Sequence, residues 1–448
     1  MSVIKVAGYG TGPADGPARL GSIAAAVSIV LGIASPAVAQ GAAAAPGASV
    51  PTGAALEADD RKVTVMTRPK PELDPSGVRM GSFLLYPSVG VGVEFDDNIY
   101  RTRRDREADF IARVMPRLRA VSDWNNHSVE LDAGLHAGRY LDNTSEDFTD
   151  WTVGLSGRLD ISRATQAFAA ARHERLHEDR GSPDAADGVS PTRYGRTSVN
   201  VGASHRINRL TLSAEGRYVG LDFDDVRRGG GRIDNDDRDR HVWIAAAQAS
   251  YEIVPAYQAF VRAVYNVRDY RRSRDDFGID RDSEGVELVV GTEFDLTGLT
   301  FGSVFAGWRG QWYADDRLGR LDGFAFGGQL TWNVTPITTA QLTIQREIEE
   351  TSVAAAEGFW STGLRATLDH ELLRNLILRS GLSYWRQEYE GIDRDDDVFL
   401  ASGGAIWQAN RHLGVGATYT HERRESRGRA AGIDYRDNRL VLTVTGRL

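Results

Sequence analysis

The chain has 448 residues, with 53 Lys and Arg against 62 Asp and Glu, and a net charge of −9. The absence of Cys excludes disulfide bonds and thiolate metal sites, and the acidic balance argues against a nucleic-acid partner. No apolar run long enough to cross a bilayer as a helix follows residue 40, so the sequence predicts no membrane-spanning helix.

The N-terminal region has the order of a secretory signal. Lys5 and Arg19 precede an apolar run over 23–33, and Ala37-Val38-Ala39 follows as a cleavage site of the A-x-A type. This order predicts a signal peptide over 1–39 and a mature chain that begins at Gln40. Residues 40–81 are rich in Ala, Gly, Pro and charge, which predicts a flexible periplasmic segment with a possible docking element around 61–68.

Residues 82–448 repeat one pattern. Segments of about ten to fifteen residues alternate in polarity, and the links between them alternate between short turns and long polar loops. The count is about eighteen segments, an even number that places both ends of the barrel on the short-turn side. The pattern predicts an all-β fold, a transmembrane antiparallel up-and-down β-barrel of about 18 strands in the cell outer membrane.

The last stretch, 435–448, shows why we expect closure. From Arg439 onwards, apolar Leu440, Leu442 and Val444 alternate with more polar residues as far as Leu448. A terminal strand with this period leaves an exposed edge unless it pairs with the first strand. Alternation also occurs in soluble sheets, but the export signal, the loop pattern and the even count together favour the outer membrane.

The polar parity of the segments predicts the lining of a pore. Facing lipid, each Arg would cost about 2–4 kcal/mol at the bilayer midplane, so these residues are assigned to the lumen. The residues are Arg113, Arg117, Arg158, Glu215, Arg217, Arg262, Arg309, Arg365, Arg379 and Glu422. An excess of Arg favours anionic solutes; alternatively, these charges only pair with one another. No loop is long by the standard of inward-folded porin loops, so we expect side chains to form any constriction.

Three patterns could indicate an enzyme or a metal site. Residues 173–177 match H-E-x-x-H, but on a strand His173 and His177 point away from Glu174, which removes the geometry of a zinc protease. His136 and His421 could serve a lumen-edge hydrolase, although nothing singles them out. The acidic runs 234–239 and 393–397 could hold Ca²⁺ loosely, but solvated loop charge is the simpler interpretation. We therefore predict no enzymatic activity, no cofactor and no metal site.

The first segment and loop carry a family resemblance. Residues 90–102 read G-V-G-V-E-F-D-D-N-I-Y-R-T, which resembles the opening strand of the putative β-barrel porin 2 family. Its motif falls on Phe95, Asp96, Asp97 and Asn98; a structural turn is the alternative, since Asp and Asn cap their own backbone. The resemblance implies a conduit for surface or exopolysaccharide export, with an acidic polysaccharide as cargo, outer-membrane lipid around it and a periplasmic export partner. A general or anion-preferring porin, an outer-membrane hydrolase and a structural barrel are the alternatives.

Overall fold

The computed structural model describes residues 63–186 and 188–448. The predicted signal peptide and residues 40–62 lie outside the described residues. Within the described ranges, no helix has the length and apolar character needed to cross a membrane.

Within these ranges, eighteen long antiparallel strands form one closed barrel, as predicted. They are β2 (Phe83–Asp96), β3 (Asp109–Ser122), β4 (Ser128–Tyr140), β5 (Phe148–Ser162), β6 (Thr165–His177), β7 (Arg193–Ile207), β8 (Leu210–Phe223), β11 (Arg240–Val254), β12 (Tyr257–Tyr270), β13 (Ser283–Asp295), β14 (Thr300–Tyr313), β15 (Arg320–Thr335), β16 (Thr338–Glu349), β17 (Gly358–Leu373), β18 (Leu376–Glu390), β19 (Asp395–Gln408), β20 (Leu413–Arg427) and β21 (Tyr435–Arg447). The described residues also form three short strands. They are β1 (Val78–Met80), which pairs with β2, and β9 (Val226–Arg228) and β10 (Gly231–Ile233), which form a hairpin inside one loop.

The last strand closes the barrel against the first. β21 pairs with β2 from Ser88 opposite Arg447 to Asp96 opposite Arg439. At Gly92 an added Cβ would lie 2.6 Å from the carbonyl oxygen of Leu442, so glycine permits the close approach of the two strands. The terminal amphipathic stretch therefore pairs with the first strand, as the sequence predicted.

The outer face is apolar, which is what a lipid environment requires. Val199 and Val201 on β7, and Val290 on β13, are among many large apolar side chains that remain exposed. A protein in water rarely shows such a continuous apolar belt, whereas barrel strands present one to lipid. Each of the long strands has 12 to 16 residues, more than the roughly 9–11 needed to cross a bilayer.

The connections differ in length at the two ends of the barrel. Turns such as those after Ile207 and Leu373 contain two residues, and they share one end with the start of β2 and the finish of β21. The opposite end carries the long loops, which include short 3-10 turns at Thr144–Glu146 and Asp236–Arg238. By the rule for outer-membrane barrels, the short-turn end is periplasmic and the long-loop end is external.

Candidate functional site: the barrel lumen

All ten residues predicted to line the pore lie on the inner face. Register partners share a face, and Arg113 stands opposite Gly92, Arg217 opposite Asn200 and Arg365 opposite Thr343. The same register places the remaining predicted residues inward: Arg117, Arg158, Glu215, Arg262, Arg309, Arg379 and Glu422.

Nine of these ten residues form ion pairs along the wall. The pairs are Arg113 with Glu94, Arg117 with Asp132 at 2.8 Å, Arg158 with Asp160 at 3.3 Å, Arg217 with Glu215 at 3.3 Å, Arg262 with Glu287 at 3.1 Å, Arg309 with Glu287, Arg379 with Asp369 at 2.6 Å and Glu422 with Arg439 at 2.7 Å. Pairing offsets most of the positive charge that the sequence placed in the lumen. Much of the wall is therefore polar and hydrated without a strong field of its own.

Arg365 differs from the other nine. Its guanidinium lies over the ring of Trp385, 5.3 Å from the centroid, and the side chain is exposed on the inner face of β17. Within the described ranges, no carboxylate forms an ion pair with it. Its neighbours in register, Thr343 and Ser383, are uncharged. Arg365 is thus a cation that faces the aqueous lumen with an aromatic ring as its only described partner.

Arg172 on β6 and Arg196 on β7 are among the lumen arginines that sequence reasoning missed. Arg172 is exposed and donates to Thr152 Oγ1 at 3.1 Å, while Arg196 bonds Glu174 at 2.6 Å. The residues before His173 were compatible with a helix, which hid the period of two. The alternation of Phe168, Ala170 and Arg172 with small outward residues on β6 was the signal that could have identified Arg172.

The H-E-x-x-H stretch lies on β6, as the strand interpretation required. Glu174 faces inward and is bound by Arg196, whereas His173 bonds Thr197 on the outer face. His177, at the strand end, bonds Asp150 at 2.9 Å. The imidazoles and the carboxylate therefore have separate partners, and the arrangement of a zinc protease does not form.

The two other histidines do not form a common site either. His136 faces inward on β4 and packs against the ring of Phe148 at 5.0 Å. His421 is on β20 and bonds Asn438 at 2.8 Å. They lie on different strands and opposite faces of the wall, so they cannot act on one bound substrate.

The loop between β6 and β7, here called loop 178–192 and described at every residue except 187, folds across the external mouth. Asp184 accepts from Thr351 Oγ1 at 2.7 Å and from the Ser352 amide at 3.0 Å, and both donors belong to the loop between β16 and β17. The carbonyl of Gly181 accepts from Arg424 on β20 at 3.2 Å. These partners lie on the far side of the ring. The expectation that no loop folds inward was therefore wrong, because polar contacts across the mouth hold this loop.

Buried charge fixes the base of the same loop. Glu178 and Arg238 are both buried and lie 2.6 Å apart. Burial raises the pKa of Glu178 above its usual value, although Arg238 opposes the rise. Close to this pair, burial raises the pKa of Asp239 to about 6, with Asp222 adding to the rise.

The motif residues at the start of the barrel join the seam at the external end. Asn98 is fully buried, and its side-chain amide donates to the carbonyls of Thr102 and Arg436, each at 2.8 Å. Asp97 accepts from Asn438 at 2.7 Å, while Asp96 pairs with the buried Arg101 at 3.1 Å. Phe95 faces outward and packs on Phe110 with ring centroids 5.1 Å apart. The motif thus connects the first strand and loop to the last strand, beyond the local turn.

At the short-turn end, residues 63–81 pack against the inside of the barrel rim. Val65 is 1% exposed and packs on Ile377 and Ile406 of β18 and β19. Its amide donates to Thr339 at 3.0 Å, and the carbonyl of Val63 accepts from Asn333 at 2.9 Å. This part of the segment predicted to be flexible is therefore attached to the wall, as the possible docking element around 61–68 suggested.

A buried ion pair secures the segment further along. Lys70 is 2% exposed and lies 3.5 Å from Glu371, which Arg68 also approaches at 3.4 Å. Burial lowers the pKa of Lys70, and the negative charge of Glu371 opposes that change. Beyond it, the carbonyl of Leu73 accepts from Arg447 at 3.2 Å. The segment follows the rim from β15 to the end of β21.

Two groups of carboxylates lie close together among the described residues. One comprises Asp96, Asp97 and Asp437; the other comprises Asp225, Asp234 and Asp236 and overlaps the first predicted acidic run. Arg101 pairs with both Asp96 and Asp437, and Arg272 pairs with Asp234 and Asp236. In the second run, Asp393 pairs with Arg429 and Asp396 with Arg394. In each case an arginine side chain supplies the positive charge that a bound cation would otherwise supply to the carboxylates.

Comparisons with known proteins found one family model and several similar solved structures. A family model described as putative beta-barrel porin 2 matches residues 70–448. Among solved structures, the Pseudomonas aeruginosa protein OpdO is similar at 16% identity, covering 82% of this chain and 98% of its own, with a TM-score of 0.44. OpdL from the same organism has 14% identity, coverage of 82% and 100%, and a TM-score of 0.40. P. aeruginosa OccK2 (OpdF), solved in complex with glucuronate, has 13% identity, coverage of 81% and 98%, and a TM-score of 0.44. No curated protein matches the sequence.

Proposed function

The chain belongs to the putative β-barrel porin 2 family and is a porin-like barrel of the outer membrane, and from this we propose that it passes small polar solutes with a preference for anions. Family and fold point to a channel that does no chemistry on its solute. The preference for anions depends on the charges of the lumen wall.

Arg365 is the observation that carries the proposed preference. Paired charges such as Arg379 and Asp369 offset one another, so they add little to ion selection. An exposed guanidinium without a carboxylate partner remains free to attract a passing anion, because Arg pairs with carboxylate and phosphate in a forked geometry. The stack on Trp385 orients the group without neutralising it.

Polysaccharide export, the function implied by the resemblance, receives less support than this alternative. Loop 178–192 contacts the opposite rim through Asp184, so a polymer would have to displace it. The family description and the similar structures name porins and small solutes, and none of them names a polymer.

The zero-current potential across a planar bilayer under a KCl gradient tests the proposal. We expect the sign of an anion-preferring channel for the wild-type protein, and a weaker preference for Arg365→Gln. The matched control is Arg429→Gln, which removes the same charge from a loop position where the side chain is 92% exposed. A cation-preferring channel, or an equal effect of both variants, would contradict the proposal.

A further inference from the structure

A recess of about 340 Å³ opens from the lumen against five consecutive strands, β4 to β8. Its lining includes Gly154, which has no side chain, and Ala170, which has only a methyl group. Three guanidinium groups, those of Arg172, Arg196 and Arg217, belong to its lining. Small residues beside long cationic ones leave space for a molecule of modest size next to positive charge.

The charges of this wall do not cancel completely. Four carboxylates are each matched with one arginine: Glu130 with Arg119, Asp132 with Arg117, Glu174 with Arg196 and Glu215 with Arg217. Arg172 is the fifth guanidinium. Its nearest carboxylate is Glu174 at 3.9 Å, which Arg196 already holds at 2.6 Å. The excess charge therefore lies on Arg172, whose side chain is 44% exposed.

The recess also offers uncharged polar groups that lack partners. Within the described ranges, the hydroxyls of Ser156 and Ser198 make no hydrogen bond, and the buried amide oxygen of Asn200 has none. A ligand hydroxyl both donates and accepts, so it satisfies a serine hydroxyl, and it satisfies Asn200 in either orientation of its amide. Because the Asn200 oxygen is buried, leaving it unsatisfied costs free energy that a matching ligand recovers, whereas the two serine hydroxyls exchange water for the ligand.

We propose that this recess is a binding subsite for a small carboxylate that also carries hydroxyl groups, such as a sugar acid. Arg172 binds the carboxylate, and Ser156, Ser198 and Asn200 bind the hydroxyls. The inference deepens the proposed channel function and relies on it, since the ligand reaches the wall through the lumen. β6 lies nine strands from β17 in the ring of eighteen, so Arg172 and Arg365 stand on opposite walls.

Three matched six-carbon probes separate the parts of the proposal. Gluconate has a carboxylate and hydroxyls, hexanoate has only the carboxylate, and sorbitol has only the hydroxyls. Binding is measured by titration calorimetry on the full mature chain folded in detergent. We expect gluconate to bind at least about tenfold more tightly than either of the other probes, because only gluconate uses both sets of groups.

Two variants and one control test the residues. Arg172→Gln should weaken gluconate binding about tenfold or more through loss of a charge-assisted hydrogen bond. Asn200→Leu should reduce the preference for gluconate over hexanoate. Arg206→Gln removes an exposed inner-face arginine near the end of β7, outside the recess, and should leave binding unchanged. Heat-modifiable migration on a gel confirms that each variant is folded.

Each outcome decides between the two proposals. Gluconate binding that ignores Arg172→Gln, or equal binding of gluconate and hexanoate, overturns the subsite. Absence of binding in a channel that still prefers anions overturns the subsite and leaves the channel function in place. Specific binding that depends on Arg172 in a barrel without conductance supports the subsite and overturns the channel function.

Discussion

Removal of the buried charge at Glu371 should release the segment that packs inside the periplasmic rim. Lys70 and Glu371 form an ion pair with side chains only 3% and 5% exposed. Replacement of one partner leaves the other charge buried without compensation, which costs about 3–5 kcal/mol. Because the rim is close to water, we take the lower end, about 3 kcal/mol, for Glu371→Gln.

Hydrogen exchange measures this release directly. The amides of Arg68 and Leu73 donate to carbonyls of the segment itself, at 2.9 and 2.7 Å, and are protected while the segment stays docked. A loss of about 3 kcal/mol corresponds to roughly hundredfold faster exchange at these amides. The strand amides of β17 serve as the internal reference and should exchange at the wild-type rate.

The chain provides a matched control in the same segment. Glu72 pairs with Arg374 at 2.6 Å, but the two side chains are 52% and 49% exposed. Surface pairs contribute little to stability, so Glu72→Gln should leave exchange nearly unchanged. Equal effects of the two variants, or no effect of Glu371→Gln, would refute the argument that the buried pair holds the segment.

Three further predictions follow from other regions. Asn98→Ala removes a buried amide that bridges the first loop and the last strand. The variant should lower the free energy of unfolding of the barrel by about 3 kcal/mol, which is measured as a lower temperature of heat modification on a gel. An unchanged temperature would contradict the role of Asn98 in joining these two elements. Asp239 has a raised pKa of about 6 in the folded state, so its contribution to stability should be present below about pH 4 and lost as the pH rises through about 6. The free energy of unfolding in urea should lose this pH dependence in Asp239→Asn. A wild-type stability that instead rises with pH over this range would contradict the raised pKa of Asp239. The N-terminal residue of the protein recovered from outer membranes should lie at or near Gln40, and recovery of an intact Met1 would exclude cleavage there.

The barrel could be predicted from sequence because its information is local. Period-two alternation within 210–218 or 439–448 assigns each side chain to a face without knowledge of its neighbours. The inward position of Arg217 and Arg365 follows from this parity and from the cost of a charge in lipid. Closure between β2 and β21 follows from the unpaired edge that the last strand would otherwise leave.

The features that shape the lumen could not be predicted in this way, because they depend on contacts between residues far apart in the chain. The inward fold of loop 178–192 depends on Asp184 reaching Thr351, 167 residues away. The docking of 63–81 depends on Val65 fitting between Ile377 and Ile406. From its composition alone, this segment was predicted to be flexible. Parity also cannot show which inward arginines form an ion pair with a carboxylate, so it could not distinguish Arg365 from the seven paired arginines of the predicted set.

Solute flux into proteoliposomes tests the central claim, that this outer-membrane barrel is a channel for small polar solutes. The wild-type protein is reconstituted into liposomes, and swelling is followed by light scattering with arabinose, lactose and a dextran as external solutes. We expect rapid swelling with arabinose, slower swelling with lactose and none with dextran, since loop 178–192 crosses the external mouth. Entry of dextran at a rate comparable to lactose would contradict it and favour a polymer conduit, and absence of swelling with every sugar would indicate a closed, structural barrel.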